Sequence, residues 1–291
     1  MQAIGYYFAL PFIYLISFLP FPILYLFSDL VFILLYYVIG YRKNVVTENL
    51  RKSFPEKSEK EILQLRRAFY RYFTDLTLET FKTLSISKSA MLEHCSMDEQ
   101  SILLFKKLSD EKKSCILVLG HLGNWEWAGN TFSLTCKQPL YVIYHPLTNK
   151  YFNSLIIKMR TRFGTRLIEM KNTFRDMVNM KNEVNATAFI ADQTPPPENA
   201  YWTNFLHQDT PVFSGTEKIA RKLNLPVIYV NVNRTGRGQY IVHAEMLCEN
   251  PASTSDGEIS DLHTQRLEKE IRKDPETWLW SHRRWKHKRP A

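Results

Sequence analysis

A chain of 291 residues can bury a sizeable core, and its composition, 45% hydrophobic and 23% charged, excludes a disordered protein. The formal net charge of +9 favours anionic partners: phospholipid headgroups, phosphorylated sugars, an acidic carrier protein or nucleic acid. Nucleic acid is the weakest candidate, because a nearly uncharged apolar N-terminus is hard to explain on a soluble nucleic-acid binder. The four cysteines show no C-x-x-C pair and no metal-ligand spacing, so we expect reduced thiols and no metal centre.

The first forty residues are almost entirely apolar. Residues 3–39 carry one charge, Asp29, and a Pro-Phe-Pro break separates the apolar stretches 3–19 and 23–39. A membrane-spanning helix needs about 20 residues, with a lower limit near 17. Because there is no positive n-region and no small-residue cleavage site, we do not expect a removed signal peptide.

We predict a membrane anchor over residues 1–40, with the first stretch a short span or half-inserted anchor and the second an interfacial helix. A carboxylate that faces lipid is costly, so Asp29 should turn toward protein or the interface. The Lys and Arg residues that follow place the main domain, 41–291, on the cytoplasmic side. A pair of buried core helices is the alternative interpretation.

The rest of the chain alternates predicted strands and helices. Ser58 and Glu61 predict a capping box at the start of a long amphipathic helix. Short apolar runs rich in β-branched and aromatic residues predict strands at 115–119, 140–144, 186–191, 226–232 and 240–244. Helical stretches lie near 125–134, 150–163, 172–183, 215–223 and 259–273. We therefore predict an α/β fold, a mixed, mostly parallel sheet flanked by helices, with active-site residues at the carboxyl ends of its strands.

The most informative stretch is 116–126, ILVLGHLGNWE. A predicted buried strand ends at Gly120, His121 follows it, and a helix begins near Asn124. The partial positive charge of that helix N-terminus disfavours an imidazolium, so His121 is expected to be neutral and able to accept a proton. Glu126, in the first helical turn, can reach a ring nitrogen if the loop folds back. It would then fix the tautomer and stabilise the imidazolium formed during a reaction.

No serine or cysteine nucleophile stands beside this pair at a recognisable elbow, and Cys115 has the setting of an interior strand residue. We therefore expect His121 to deprotonate a hydroxyl of the substrate itself, which attacks a thioester carbonyl. Backbone N–H groups at the helix start could stabilise the oxyanion. A histidine and an acid at this spacing also occur by chance in many proteins. Gly120 and Gly123, which let backbone approach a ligand, favour a site.

The segment 120–126, with a histidine and an acid separated by four residues, resembles the motif of the glycerolipid and lysophospholipid acyltransferase superfamily. Within it, the chain is similar to the late acyltransferases of lipid A biosynthesis, the lauroyl and myristoyl transferases. Five further segments carry the narrower resemblance: 42–56, 144–146, 160–164, 191–193 and 274–286. The last of them, DPETWLWSHRRWK, is the most distinctive. The resemblance covers the chain from about residue 40 to residue 290.

This resemblance implies an acyltransferase domain over residues 41–291 and an inner-membrane enzyme with a cytoplasmic active site. The implied donor is an acyl thioester, usually on acyl carrier protein, whose acidity suits the net charge of +9; acyl-CoA is the other candidate. The implied acceptor is a hydroxyl of an acylated, phosphorylated disaccharide lipid. No cofactor is implied.

The same resemblance implies roles for individual residues. His121 carries over as the general base and Glu126 as its charge partner. Arg160 carries over as a stabiliser of the reacting region or a phosphate contact, with Arg162 as a further substrate-binding candidate. Asp192 would orient Arg160 or acceptor hydroxyls. The alternatives are a solvated or dipole-compensating role for the arginines and a helix-cap or turn role for Asp192.

Two rival functions stay open at this point. One is a related acyltransferase that acts on a lysophospholipid, a glycolipid or an amino-acid lipid, since acceptor choice depends on pocket shape. The other is a catalytically silent membrane-surface binding protein that keeps the fold; the intact pair His121 and Glu126 argues against it. His145 stands where the family commonly has an arginine before Pro146, so no anion contact is carried over there.

Overall fold

The computed structural model describes residues 2–290. Its α-helices are α1 (Gln2–Phe18), α2 (Phe21–Ile33), α3 (Lys43–Ser53), α4 (Glu59–Lys82), α5 (Lys88–His94), α6 (Glu99–Asp110), α7 (Trp125–Thr135), α8 (Lys150–Thr161), α9 (Thr173–Asn179), α10 (Gly215–Leu223) and α11 (Glu258–Lys273). Its strands are β1 (Cys95–Met97), β2 (Cys115–Leu119), β3 (Leu140–Tyr144), β4 (Arg166–Glu169), β5 (Ala186–Ile190), β6 (Ala200–Phe205), β7 (Gln208–Phe213), β8 (Val227–Gly236) and β9 (Gln239–Cys248). All five predicted strands and the helices predicted between and after them are present.

Seven strands form one sheet in the order β1-β9-β8-β2-β5-β3-β4. Neighbouring strands are parallel except β8 and β9, which form an antiparallel hairpin, so β1 and β9 run opposite to the other five. This confirms the predicted mixed, mostly parallel sheet flanked by helices. The carboxyl ends of β2, β3, β4 and β5 therefore lie along one side of the sheet, together with the β8–β9 turn. We call this side the carboxyl edge.

The central strand β2 is buried along its whole length because the sheet is covered on both faces. Ile116 and Val118 belong to one core, which α9, α10 and α11 cover, whereas Leu117 and Leu119 belong to the other, beneath α5, α6 and α7. Helix α4 contributes residues to both cores. It begins with the predicted capping box of Ser58 and Glu61. Packing on both faces leaves the loops at the carboxyl edge as the place for a site.

The two N-terminal helices pack against α4. Asp29 of α2 forms an ion pair with Arg237 at 2.8 Å, and Arg237 also binds the buried Asp75 of α4 at 2.7 Å. This confirms that Asp29 faces protein. Because Arg237 lies in the β8–β9 turn, α2 is attached at the carboxyl edge, whereas α1 packs against α4 and α8.

The faces of α1 and α2 that point away from α4 are apolar and exposed. Of the described residues, one helix is long and apolar enough to cross a membrane by length and composition, Phe21–Ile39, which joins α2 to a π-helical turn, Leu34–Ile39. By length, the candidate span is thus the second stretch, which the sequence predicted as an interfacial helix, whereas the first, predicted as a short span or half-inserted anchor, forms a shorter apolar helix. The exposed apolar side chains are Ile4, Tyr7, Phe8, Phe12, Leu15, Phe18, Ile23, Leu26, Leu30, Ile33, Leu34, Tyr37, Val38 and Ile39.

Candidate active site

His121 and Asp192 meet at the carboxyl edge because each follows one of two paired strands. β2 and β5 are parallel neighbours with Leu119 opposite Ile190, and each residue of the pair lies two positions further on. The ring Nδ1 of His121 is 2.5 Å from Oδ1 of Asp192. The backbone N–H of His121 donates to Oδ2 of the same carboxylate at 2.7 Å. Sheet pairing therefore fixes this contact.

The contact determines which nitrogen of His121 carries the proton. Burial alone would raise the pKa of the Asp192 carboxyl. The charge of His121 and the hydrogen bonds from His121 and Trp278 lower it by a larger amount, so the pKa lies below its usual value. An ionised carboxylate only accepts hydrogen bonds, so Nδ1 of the neutral ring is protonated and Nε2 has a free lone pair. The side-chain amide of Gln193 lies 3.3 Å from Nε2 and donates to it.

The prediction that Glu126 contacts the ring of His121 is wrong. Glu126 instead accepts two hydrogen bonds from the guanidinium of Arg160, at 2.9 Å from Nε and 2.5 Å from Nη2. The reason is that Asp192 already occupies Nδ1, while the first turn of α7 presents Glu126 to the end of α8. Burial alone would raise the pKa of Glu126, but Arg160 and, less strongly, His121 lower it by a larger amount. Glu126 is therefore ionised, and its charge still acts on the ring of His121.

The two candidate arginines have different surroundings. Arg160, in the last turn of α8, is three-quarters buried beside Glu126 and lines the cavity described below. Arg162 follows the helix, is exposed, and donates to the backbone carbonyl of Thr83. The structure thus brings Arg160 together with His121, Glu126 and Asp192, and leaves Arg162 outside the site.

A C-terminal segment holds the loop that carries His121. The N–H of Gly123 donates to residue 277 at 3.2 Å, the N–H of residue 279 donates to the carbonyl of His121 at 3.1 Å, and an isolated β-bridge joins Leu122 to Trp278. The indole N–H of Trp278 donates to Oδ2 of Asp192 at 2.8 Å. The same three residues therefore position both members of the His121–Asp192 pair.

The loop is also held from the sheet and from α4. Gly123 has a φ of +62°, and a Cβ there would lie 2.0 Å from the carbonyl oxygen of Val232, so this position requires glycine. Asn124 caps α7 by accepting from the N–H of Trp127 at 3.0 Å, and it donates to the buried Glu79 at 2.8 Å. His121 is thus rigidly placed at the start of a helix.

A cavity of about 470 Å³ opens in front of His121 at the carboxyl edge. Glu126, Arg160 and Gln193 form its polar wall. The N–H groups of Trp125 and Glu126, the first two of α7, have no partner inside the helix, and both residues line the cavity. An apolar recess, which we call the inner recess, continues from the cavity between α7 and the sheet and is lined by Trp125, Phe105, Phe132, Gly129, Leu117, Leu119, Leu140, Val142, Ala188 and Ile190.

Sequence comparison shows which family the chain is related to. The sequence model of the family described as bacterial lipid A biosynthesis acyltransferase matches residues 1–287. The chain belongs to this family. It is 21% identical over 248 residues to the lipid A biosynthesis palmitoleoyltransferase of Escherichia coli (strain K12), and the same figures hold for a lipid A biosynthesis acyltransferase of Shigella flexneri. Both matches cover 84% of this chain and 79% of the relative. The family resemblance seen in the motifs is confirmed, and the protein is an acyltransferase.

The sequence of this acyltransferase did not predict that Trp278 and Gln193 belong to the site, or that Asp192 is the partner of His121. Trp278 entered the sequence analysis only as part of segment 274–286, the most distinctive segment of the resemblance. Gln193 was noted only as part of the strand-end segment that contains Asp192. The position of Asp192 after a predicted central strand was a usable signal, because parallel neighbours bring such ends together.

Proposed function

We propose that this acyltransferase moves a fatty acyl group from an acyl thioester to a hydroxyl of a lipid A precursor, with His121 as the general base. The observation that carries the proposal is the placement of His121: its Nδ1 contacts Asp192, and the ring lines the cavity with Nε2 beside Gln193. A base with this arrangement can accept a proton from a bound alcohol. The amide of Gln193 marks the place that the alcohol O–H would take.

The chemistry follows from these positions. The hydroxyl gives its proton to Nε2 as its oxygen attacks the thioester carbonyl, and the Asp192 carboxylate stabilises the imidazolium that forms. The N–H groups at the start of α7 stabilise the tetrahedral oxyanion. Collapse of this intermediate breaks the carbon–sulfur bond, His121 returns the proton to the departing thiolate, and the new ester remains on the acceptor. The ring is then neutral again.

Arg160 and Glu126 have a different part in this proposal. Glu126 neutralises and orients the guanidinium of Arg160 through two hydrogen bonds, which leaves Nη1 to bind an anionic group of the acceptor, such as a phosphate. The charge of Glu126 also favours the imidazolium of His121. Asp192 acts through His121 rather than on acceptor hydroxyls.

The inner recess has a volume of about 50 Å³, so it can take a few methylene groups of the donor's acyl chain. It is lined by apolar side chains and meets the cavity at Trp125, whose ring packs edge-on against His121 with the ring centroids 4.9 Å apart. A chain in this recess would place its carbonyl carbon near Nε2. For the carrier of the thioester we propose acyl carrier protein, because an acidic protein complements a chain with a net charge of +9.

The exposed apolar faces of α1 and α2 would place the cavity at a membrane. Helix α2 is attached at the carboxyl edge, where His121 lies, and Arg42 and Lys43 follow it in the sequence. Apolar side chains buried in the bilayer, with basic residues at the headgroups, would hold the domain on the cytoplasmic face of the inner membrane. The acceptor lipid could then reach His121 without leaving the bilayer.

The test is turnover by His121→Ala in detergent or vesicles, with acyl carrier protein carrying a labelled acyl chain and an acylated, phosphorylated disaccharide lipid as acceptor. We expect a loss of at least about a hundredfold in kcat, the scale for removal of a general base. His287→Ala, a histidine outside the cavity, should keep its rate. Unchanged turnover by a folded His121→Ala protein would refute the assignment.

The acceptor is identified by mass spectrometry of total lipids from cells that lack the gene. Loss of one acyl chain from lipid A supports the proposal. An altered phospholipid, glycolipid or aminolipid with intact lipid A would favour the related acyltransferase instead. A silent binding protein would transfer no acyl group from any thioester.

A further inference from the structure

A second apolar opening leads away from the catalytic cavity. It is a groove of about 310 Å³ on the α9 and α10 side of β3 and β5, whereas the inner recess lies on the α7 side. The groove and the cavity share three wall residues, Ile143, Met170 and Ile190. The two spaces therefore adjoin at the carboxyl edge.

The lining of this groove suits a hydrocarbon chain. Its walls include the aromatic rings of Phe174, Phe189 and Phe213. The groove has one charged lining residue among those the structure describes, Lys171. Met170 and Phe174 are 46% and 39% exposed at the mouth, an unusual exposure for large apolar side chains that border a cavity. This apolar mouth lies at the same edge of the sheet as α2, so a lipid could enter it from the bilayer.

The proposed reaction brings two kinds of acyl chain to His121. One is the chain being transferred, part of which the inner recess can take. The other is carried by the acceptor, which is itself an acylated lipid. Resting on the proposed function, we infer that the groove between β5, α9 and α10 binds an acyl chain that the acceptor already carries. The cavity thus receives donor and acceptor chains on opposite faces of the sheet.

This arrangement has a consequence for acceptor selection. Each methylene removed from an apolar site weakens binding by about fourfold. An acceptor that lacks the neighbouring acyl chain should therefore bind much more weakly than the acylated lipid. The order of acylation on the acceptor would follow from this requirement, because the chain in the groove must be present first.

Gly215 offers a direct test of the groove. It is the first residue of α10, it lines the groove, and no atom lies within 4 Å of the position that its Cβ would take. Gly215→Leu should place an apolar side chain in the groove without a clash. We expect the KM for the acylated acceptor to rise about tenfold or more while the KM for the thioester donor stays the same. Lys218→Leu adds the same side chain to α10 outside the groove and should change neither constant.

Two results would overturn the inference. A rise in the KM for the donor in Gly215→Leu would mean that the groove holds the transferred chain, and unchanged constants for both substrates would mean that no chain binds there. Thermal melting by circular dichroism shows whether each variant is folded, so that the effect of unfolding is not mistaken for weaker binding of a substrate.

A photolabelling experiment separates the inference from the proposed function because it needs no turnover. An acylated disaccharide lipid with a diazirine at its chain end is irradiated with the His121→Ala protein, and labelled peptides are mapped by mass spectrometry. We expect label at residues 170–174 or 213–219, reduced in the double variant with Gly215→Leu. Label at Phe105 or Phe132 in the inner recess, or no label in either region, would contradict it. Failure of the wild-type protein to transfer acyl groups would refute the proposed function alone.

Discussion

The two polar pairs that border the cavity are built differently. His121 and Asp192 are 71 residues apart and meet because they follow paired strands, and their side chains are 15% and 3% exposed. Glu126 and Arg160 project from α7 and α8 and are 16% and 25% exposed. The strand-borne pair has fixed positions and a fixed tautomer. The helix-borne pair lines the cavity and leaves guanidinium N–H groups that can bind a ligand.

This difference shows why spacing in a motif does not identify contacts. His121 and Glu126 are separated by four residues, yet each has its closest ionic partner elsewhere in the chain, Asp192 and Arg160 respectively. The short motif places a base and an acid on the same cavity wall. The long-range partners then assign different tasks to them: proton transfer to His121, and orientation of a cation to Glu126.

Asp192→Asn tests the contact between His121 and Asp192 and should give the largest loss of activity. An asparagine amide can donate to Nδ1 of His121, which would move the proton to Nε2 and remove the acceptor lone pair. We expect kcat to fall by about a hundredfold or more. The tautomer is read from ¹⁵N chemical shifts of labelled histidine. Asp110→Asn, an exposed acid on α6, is the matched control, and a normal rate for Asp192→Asn would show that sheet pairing does not set the chemistry.

The helix-borne pair should give a smaller loss. Glu126→Gln removes the charge that orients Arg160 but leaves Nε2 of His121 available, so we expect a tenfold to about fiftyfold fall in kcat/KM, the range typical of a lost charged hydrogen bond. Arg160→Met should cost a similar amount. Because the two residues act as one unit, the double variant should be little worse than either single variant. Multiplied losses in that cycle would mean that Glu126 acts directly on His121.

Much of the fold could be predicted because its signals are local. β2, β3 and α10 begin and end at the predicted residues, since each is a short apolar run or an amphipathic segment between clear breaks. The missed strands are β1, β4 and the β6–β7 hairpin. β1 and β4 lie at the sheet's edges and are only three and four residues long, too short for a hydrophobic period to show.

The site could be predicted only in part. His121 was found because strand, glycine and helix start are adjacent in the sequence. The contact with Asp192 depends on which strand lies beside β2, and the local hydrophobic periodicity does not predict the order of strands in a sheet. The role of Trp278 depends on a C-terminal segment that returns to the loop after His121. Both are long-range pairings, which the pattern of nearby residues does not contain.

Glu79 is a third buried acid, and it contacts the loop that follows His121. It accepts from Asn124 and Tyr240 at 2.8 and 2.7 Å, but burial raises the pKa of Glu79 above its ordinary value of 4.5, to about 7. A carboxyl with a raised pKa in the folded state stabilises the protein at low pH. That contribution is lost as the pH rises through the folded pKa. The contribution of Glu79 to the free energy of unfolding should therefore fall by up to roughly 3 kcal/mol between pH 5 and 8, measured as the difference between the wild type and Glu79→Gln. The difference is needed because the lowered pKa values of His263 and His282 act in the opposite direction over the same range.

Glu79→Gln should remove this contribution and change kcat by less than about twofold, because its amide oxygen can still accept from Asn124 and it takes no part in proton transfer. Denaturant unfolding at several pH values, beside turnover at pH 7, measures both effects. Equal slopes for the two proteins would mean that Glu79 is ionised when folded. In that case a third fixed negative charge would lie behind the loop of His121. Glu79 would then act on the charge of the His121 ring together with Asp192 and Glu126.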